Sequence, residues 1–131
     1  MLERKWKIIY YEDENNKSEI REFIDRLKPR SKAKALAWIE ILSNKGPNLL
    51  RPFADTLEDG IHELRIKLSG DQVRILYFFC YKDFIVLTNS FIKRTDKVPS
   101  AEILKCKEMR EDFLKKHDEK SIGRRENENI R

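Results

Sequence analysis

Apolar and polar residues alternate through the middle of the chain. Between residues 63 and 68, three apolar residues alternate with three charged ones, which is the period of a half-buried β-strand. Residues 73–80 are rich in β-branched and aromatic residues, and residues 84–88 form a third apolar run. Short polar segments separate these runs and are typical of tight turns. The pattern therefore predicts three consecutive antiparallel strands.

Helical spacing flanks this meander on both sides. A short apolar run at residues 6–11 predicts a first strand. Apolar residues then recur at intervals of three and four after Ser18, a suitable N-cap, until Pro29 stops the helix. A second helix is predicted from about Ser31 to Asn44, and a last one from Pro99 to about Lys116. We interpret the segment between the second helix and the meander as an ordered loop.

The predicted fold is α+β, in the order β-α-α-β-β-β-α, with an antiparallel sheet and a helical hairpin packed on one face. Residues 1–116 form the domain, and residues 117–131 form a polar tail that we expect to be disordered. The face expected under the helices contains Leu64, Ile66, Val73, Ile75 and Tyr77. The face expected to be open and charged contains Glu63, Arg65, Lys67 and Arg74.

Register predicts where the charges meet. A two-residue or a four-residue turn within residues 69–72 places Lys67 opposite Arg74, with Arg65 one step along the same face. Like charges directly across a strand pair are destabilising. A bound anion, such as phosphate, would compensate them.

Two further cations extend this charged face. Lys93 and Arg94 directly follow the third strand of the meander, so they are expected near the same place. The alternative interpretation is a solvated basic face whose flexible side chains keep apart.

Composition narrows the class of protein. The chain has 131 residues and a net charge of +5, which favours an acidic partner such as nucleic acid. No apolar run is long enough to span a bilayer, and the first residues lack the apolar core of a signal peptide, so a cytoplasmic location is expected. Cys80 and Cys106 lack metal-ligand spacing, and we expect free thiols, no metal and no cofactor.

Three motifs in order resemble the RelE/HigB toxin superfamily, and more narrowly its phage-derived HigB-like members, often called killer proteins. They are Gly-Ile-His-Glu-Leu-Arg at residues 60–65, Arg-Ile-Leu-Tyr at residues 74–77, and Phe-Ile-Lys-Arg-Thr at residues 91–95, followed by Pro99 and Glu102. The resemblance covers about residues 6–116, and its element order agrees with the pattern above.

The resemblance implies the toxin of a type II toxin–antitoxin system. Such toxins enter the A site of the 70S ribosome and cut messenger RNA without a metal, by attack of a ribose 2′-OH on the adjacent phosphate. The implied partners are a cognate antitoxin of helix-turn-helix type, the ribosome and its messenger. DNA would be contacted only through the antitoxin.

The resemblance also implies roles for individual residues. Arg74 and Arg94 would bind the scissile phosphate, Lys67 would act as general base, and Arg65 would orient the messenger backbone. Further RNA contacts fall to Lys93, Glu63 and Tyr77. Glu63 is also an alternative base, and its other interpretation is a salt bridge to Arg65 or another nearby cation.

The general acid stays open. Some members of the superfamily carry a tyrosine on the last helix, but residues 99–116 contain none. His62 is expected on the core face by alternation, and His117 lies at the helix end. Two other functions remain: a catalytically silent relative that binds RNA or its antitoxin, and a ribonuclease that needs no ribosome.

Overall fold

The structure is a computed structural model that describes residues 5–122. Its helices and strands, in chain order, are β1 (Lys7–Tyr10), α1 (Glu19–Arg26), α2 (Pro29–Lys45), β2 (Ala54–Glu58), β3 (Ile61–Leu68), β4 (Asp71–Cys80), β5 (Phe84–Ile92) and α3 (Ser100–Lys116). A single 3-10 turn, Gly46–Asn48, follows α2.

The strands of this described part form one five-stranded sheet in the order β1-β5-β4-β3-β2. β1 runs parallel to β5, and every other neighbouring pair is antiparallel. The predicted α+β class is confirmed, and the architecture is consistent with a RelE-like fold. One strand was missed. β2 lies in the segment that we interpreted as an ordered loop. The sequence did not predict this strand because its two acidic residues and a bulge near Thr56 hide the strand pattern.

Helices cover both faces of the sheet. α1 and α2 pack on the predicted face, where Leu64, Ile66, Val73, Ile75 and Tyr77 join one core cluster. α3 packs on the opposite face through Cys106 and Phe113, against apolar residues of β3, β4 and β5. The expectation that this second face is open was therefore wrong over most of its length. It remains uncovered only where the charged residues lie.

The helical hairpin begins and ends as its sequence predicts. The Ser18 hydroxyl accepts a hydrogen bond from the Arg21 amide at 3.1 Å and caps α1. Pro29 does not merely stop α1, since it is the first residue of α2. Gly46 caps α2 with a φ of +53°, and a Cβ at this position would lie 2.3 Å from the Trp6 indole nitrogen. Only glycine fits both the conformation and the space.

The β3–β4 register differs by two residues from the prediction. The turn consists of Ser69 and Gly70, both with positive φ, as a two-residue hairpin turn of type I′ requires. Leu68 therefore pairs with Asp71, and Arg65, rather than Lys67, lies opposite Arg74. A shift of two residues keeps every side chain on its predicted face.

The folded structure continues past residue 116, the predicted end of the domain. The Asp118 carboxylate accepts a hydrogen bond from the Ser121 amide, and Ile122 is fully buried in the cluster that contains Phe78 and Phe113. The remainder of the predicted tail, residues 123–131, lies outside the described residues. Cys80 and Cys106 are both free thiols, as expected. No helix in the described chain is long and apolar enough to cross a membrane.

Candidate active site

A charged cluster occupies the α3 face of the sheet at the end that α3 leaves uncovered. α3 covers Ile61 and Leu76, whereas Lys67 and Gln72, further towards the β3–β4 turn, are exposed. Two rows of residues cross the strands here. Arg65 is paired with Arg74 in one row, and Lys67 is paired with Gln72 in the next.

One carboxylate lies between the two opposed arginines. Glu63 Oε1 is 3.0 Å from Arg74 Nε, and Glu63 Oε2 is 3.3 Å from Arg65 Nη2. The Glu63 side chain is only 2% exposed. A buried carboxylate is stable when cations surround it, and opposed cations are stable when an anion lies beside them. The like-charge pair is therefore compensated within the protein, which was the alternative interpretation of Glu63.

The cluster continues to the edge strand β2. Asp55 pairs directly with Glu63 across β2 and β3, and Asp55 Oδ2 lies 3.6 Å from Arg65 Nη2. Arg51 binds the same oxygen at 2.8 Å through Nη2. This hydrogen-bonded Arg51 guanidinium is the main reason that the pKa of Asp55 is lowered. The acidic row of Asp55 and Glu63 thus lies beside the row of Arg65 and Arg74, and each offsets the repulsion within the other.

Arg74 is enclosed rather than presented to solvent. Its side chain is 8% exposed, and its Nη1 donates a hydrogen bond to the Val73 carbonyl at 3.1 Å. Burial lowers the pKa of Arg74, and the charge of Glu63 opposes that shift. Arg74 Nε and Glu63 Oε1 are close, but their orientation does not form a good hydrogen bond. Arg74 was expected at the scissile phosphate, and this burial places it behind the surface.

The exposed cations are a separate set. Lys67 and Arg94 are exposed and Lys93 is half-buried, and none of the three makes an ion pair with a residue in the range 5–122. The Lys93 amide donates to the Gln72 carbonyl at 2.7 Å, which places the Lys93 backbone beside the Lys67 row. β5 ends at Ile92, so strand alternation does not fix the direction of Arg94.

Tyr77 and His62 lie on the other face of the sheet. Tyr77 is 1% exposed and stacks on His62 with ring centres 5.3 Å apart, on the core face where alternation placed it and away from the cations that it was expected to join in RNA contact. His62 contacts Thr56 Oγ1 through Nδ1 at 3.1 Å. Burial lowers the pKa of His62. Both rings line a cavity of about 440 Å³ beside β2. The face predicted for His62 is therefore correct, although its ring is only half-buried.

The remaining histidine lies away from the cluster. His117 caps the C-terminal end of α3 and packs on Phe113 with ring centres 4.8 Å apart. The hydroxyl of Tyr81, which follows β4, donates a hydrogen bond to the backbone carbonyl of His117. Neither histidine is placed to act with the cations. Among residues 5–122, no group of three or more His, Cys, Asp or Glu side chains is arranged to hold a metal ion.

Sequence reasoning missed Asp55, Arg51 and Gln72. The first two join the cluster only because β2 pairs with β3, and that strand was not predicted. Gln72 was hidden by the register error. The sequence signal was weak: Gly70 suits the second position of a two-residue turn of this type, but Ser69 is not among the residues that favour the positive φ of the first.

The cluster carries a net positive charge. Five members of the ionic cluster, three arginines and two carboxylates, leave one excess positive charge, and Lys67, Lys93 and Arg94 add three more. Exposed lysines and a guanidinium edge next to a buried ion pair are suited to binding a phosphate.

Comparison with known proteins gives one family. The model of a family described as "Phage derived protein Gp49-like (DUF891)" matches residues 22–111, more than half of the chain. This range includes most of α1, all of α2, all of β2 to β5 and most of α3. A search of curated proteins found no match.

Proposed function

Because the chain belongs to the Gp49-like family of phage-derived proteins, a RelE/HigB-like toxin family, we propose that it is a ribosome-dependent endoribonuclease that cleaves messenger RNA. The family is associated with the toxins of toxin–antitoxin systems, and such a family implies an antitoxin partner. The finer features are our proposal: cleavage in the ribosomal A site, no metal requirement, and an antitoxin of helix-turn-helix type.

One observation carries the proposal. Lys67 lies at the uncovered end of the α3 face, and Lys93 and Arg94 follow β5 at the same end of the sheet, near the paired Arg65 and Arg74; none of the three has an ion-pair partner among the described residues. Unpaired cations attract the phosphates of RNA, and fixed cations beside them stabilise the charge that develops on a phosphate in the transition state.

The proposed reaction is a transesterification. The ribose 2′-oxygen forms a bond to phosphorus, the bond from phosphorus to the 5′-oxygen breaks, and a 2′,3′-cyclic phosphate results. Lys67 is the proposed base that accepts the proton of the 2′-OH. Arg65, Lys93 and Arg94 neutralise the extra negative charge of the pentacoordinate phosphate. The leaving oxygen takes a proton from water.

The roles expected for Glu63, Arg74 and Tyr77 change in this proposal. Glu63 is not the base, because both its oxygens face arginines and its side chain is buried. Arg74 supports the site from behind, since its guanidinium is enclosed by protein. Tyr77 has no direct contact with the scissile phosphate, because it lies on the opposite face.

The test is cleavage of a translated messenger by purified protein. Protein freed of bound metal by dialysis against a chelator is incubated with programmed ribosomes, in the Mg²⁺ that the ribosome itself requires, and with the same RNA free of ribosomes. Cuts only on ribosomes, at the rate of the undialysed protein, support the proposal. Cuts in naked RNA support the ribosome-independent ribonuclease, and dependence on a divalent metal contradicts the mechanism.

A second candidate is a catalytically silent RNA- or antitoxin-binding protein. Two observations favour it: Arg74 is enclosed, and α3 supplies no tyrosine as general acid. This candidate predicts binding to RNA or to the antitoxin without cuts in either form of the messenger, and no effect of Lys67→Ala on cell growth.

A further inference from the structure

Glu63 contacts two arginines through separate oxygens. Oε2 lies 3.3 Å from both Nε and Nη2 of Arg65, and Oε1 lies 3.0 Å from Nε of Arg74. The carboxylate is therefore not an isolated buried acid. It is a bridge between the two guanidinium groups.

The contact with Glu63 uses one particular edge of Arg65. A guanidinium has a side edge, formed by Nε and Nη2, and an end edge, formed by Nη1 and Nη2. Glu63 takes the side edge, Asp55 Oδ2 lies 3.6 Å from Nη2, beyond hydrogen-bond distance, and Nη1 has no hydrogen-bond partner in the described chain. The Arg65 side chain is 28% exposed. Either edge of a guanidinium can bind two oxygens of a phosphate at once.

We propose that Glu63 is a positioning residue for the phosphodiester site. By binding the side edge of Arg65, it leaves the end edge for a phosphate and holds it on the face that carries Lys67. Glu63 also offsets the charge of Arg74, which lies opposite Arg65 across β3 and β4 and would otherwise repel it. This inference rests on the proposed function, since it assigns Glu63 a role at that same site.

The proposal makes RNA binding and RNA cleavage respond in opposite directions. Replacing Glu63 with Gln removes a negative charge from an anion site, so RNA binds as well or more tightly. The same replacement weakens the contact that orients Arg65, so cleavage slows. A residue with a purely structural role would lower both together or neither.

The experiment compares Glu63→Gln with the charge-matched control Glu58→Gln. Glu58 also lies on the hairpin of β2 and β3, but its partner is Lys107 of α3. We expect kcat on programmed ribosomes to fall at least about tenfold in Glu63→Gln, as misplaced catalytic groups commonly cost this much or more. The Kd for a non-cleavable 2′-O-methyl RNA should not rise. Equal losses of binding and kcat, or an unchanged kcat, would overturn the proposal.

Glu63→Asp keeps the charge and guards against a variant that fails to fold. Its carboxylate is withdrawn by one methylene, so the proposal predicts a lower kcat with the fold intact. A fully active Glu63→Asp protein would show that only the charge matters and would overturn the positioning role.

A readout without catalysis separates this proposal from the proposed function. The Nε–Hε signals of Arg65 and Arg74 in ¹⁵N NMR spectra report their contacts with Glu63. Both signals should shift and exchange faster with water in Glu63→Gln, and neither should change in Glu58→Gln. If the wild type does not cleave RNA, the proposed function fails, and these signals still decide whether Glu63 positions the arginines. Unchanged signals would overturn that role.

Discussion

Arg65 and Arg74 are directly opposed across β3 and β4, and their repulsion is offset within the protein. Opposed cations on a sheet are therefore not by themselves a sign of a bound anion, because a neighbouring carboxylate can compensate them. The stronger sign here is that Lys67, Lys93 and Arg94 have no such partner in the described residues. This division into paired and unpaired cations leads to different predictions for the two sets.

Arg74→Ala should destabilise the fold. The variant leaves the buried Glu63 carboxylate without its closest cation, and breaking a buried ion pair on one side costs about 3–5 kcal/mol. The free energy of unfolding from urea denaturation measures this loss. An unchanged stability would indicate that Arg74 is a free phosphate ligand, as the sequence alone suggested.

The matched control for Arg74 replaces both partners. A Glu63→Leu/Arg74→Met variant removes both charges of the pair, so neither charge is left buried without its partner. Its loss of stability should therefore be smaller than that of Arg74→Ala. Arg65 retains Asp55 as a partner in this variant.

Lys67→Ala should leave the fold intact and stop cleavage. The Lys67 side chain is exposed, and its backbone carbonyl keeps the hydrogen bond from Lys34 Nζ. We expect stability to change by less than about 0.5 kcal/mol. Cleavage on programmed ribosomes should fall at least about a hundredfold, which is the typical loss for a group that accepts a proton or stabilises charge in the transition state. Lys82→Ala, in the β4–β5 turn at the opposite end of the sheet, is the control, and it should cleave like the wild type.

The sequence predicted the faces of the sheet better than the positions along it. Alternation placed Leu64, Ile66 and Tyr77 correctly on the α1 and α2 face, because a two-residue register error preserves parity. It could not predict that Lys67 faces Gln72, since that depends on whether Ser69 or Gly70 begins the turn. β2 was missed because a short edge strand with a bulge is defined by its pairing with β3 rather than by its own pattern.

The same limits apply to the candidate site. Strand alternation identified Glu63, Arg65, Lys67 and Arg74 as one face, and the structure places them there. Their different burial was not predictable from the pattern. Arg74 and Glu63 are buried, and the residues paired beside them, Phe91 of β5 and Asp55 of β2, are distant from them in sequence.

Ile122→Ala should lower the free energy of unfolding by about 2–5 kcal/mol, the usual cost of truncating a fully buried large aliphatic side chain. The side chain lies in the cluster with Phe78 and Phe113, beyond the end of the predicted domain. Leu104→Ala, at an exposed position of α3, is the control and should change stability little. If Ile122→Ala is equally mild, the residues after α3 contribute little to the stability of the fold, in line with the disordered tail that the sequence predicts.

Stability should decrease as the pH falls below about 6.5, the ordinary pKa of histidine in an unfolded chain. Burial lowers the pKa of His62 in the folded protein. The unfolded state therefore binds the proton first, and His62 contributes stability that is present above pH 6.5 and lost as the pH falls through the folded pKa. Urea denaturation at pH 7.5 and pH 5 should show a smaller decrease in His62→Gln than in the wild type. An identical decrease in both proteins would contradict the assignment.

The most direct test of the proposed activity is 5′-end mapping of cellular messenger RNA after induced expression in a bacterial host. The wild type is compared with a Lys67→Ala/Arg94→Ala variant, whose exposed side chains make no ion pair in the described chain, and with Lys82→Ala. We predict growth arrest with new cuts inside translated frames for the wild type and Lys82→Ala, and neither effect for the double variant. Soluble, folded wild-type protein that causes no cuts, or a double variant that cuts like the wild type, would contradict the account.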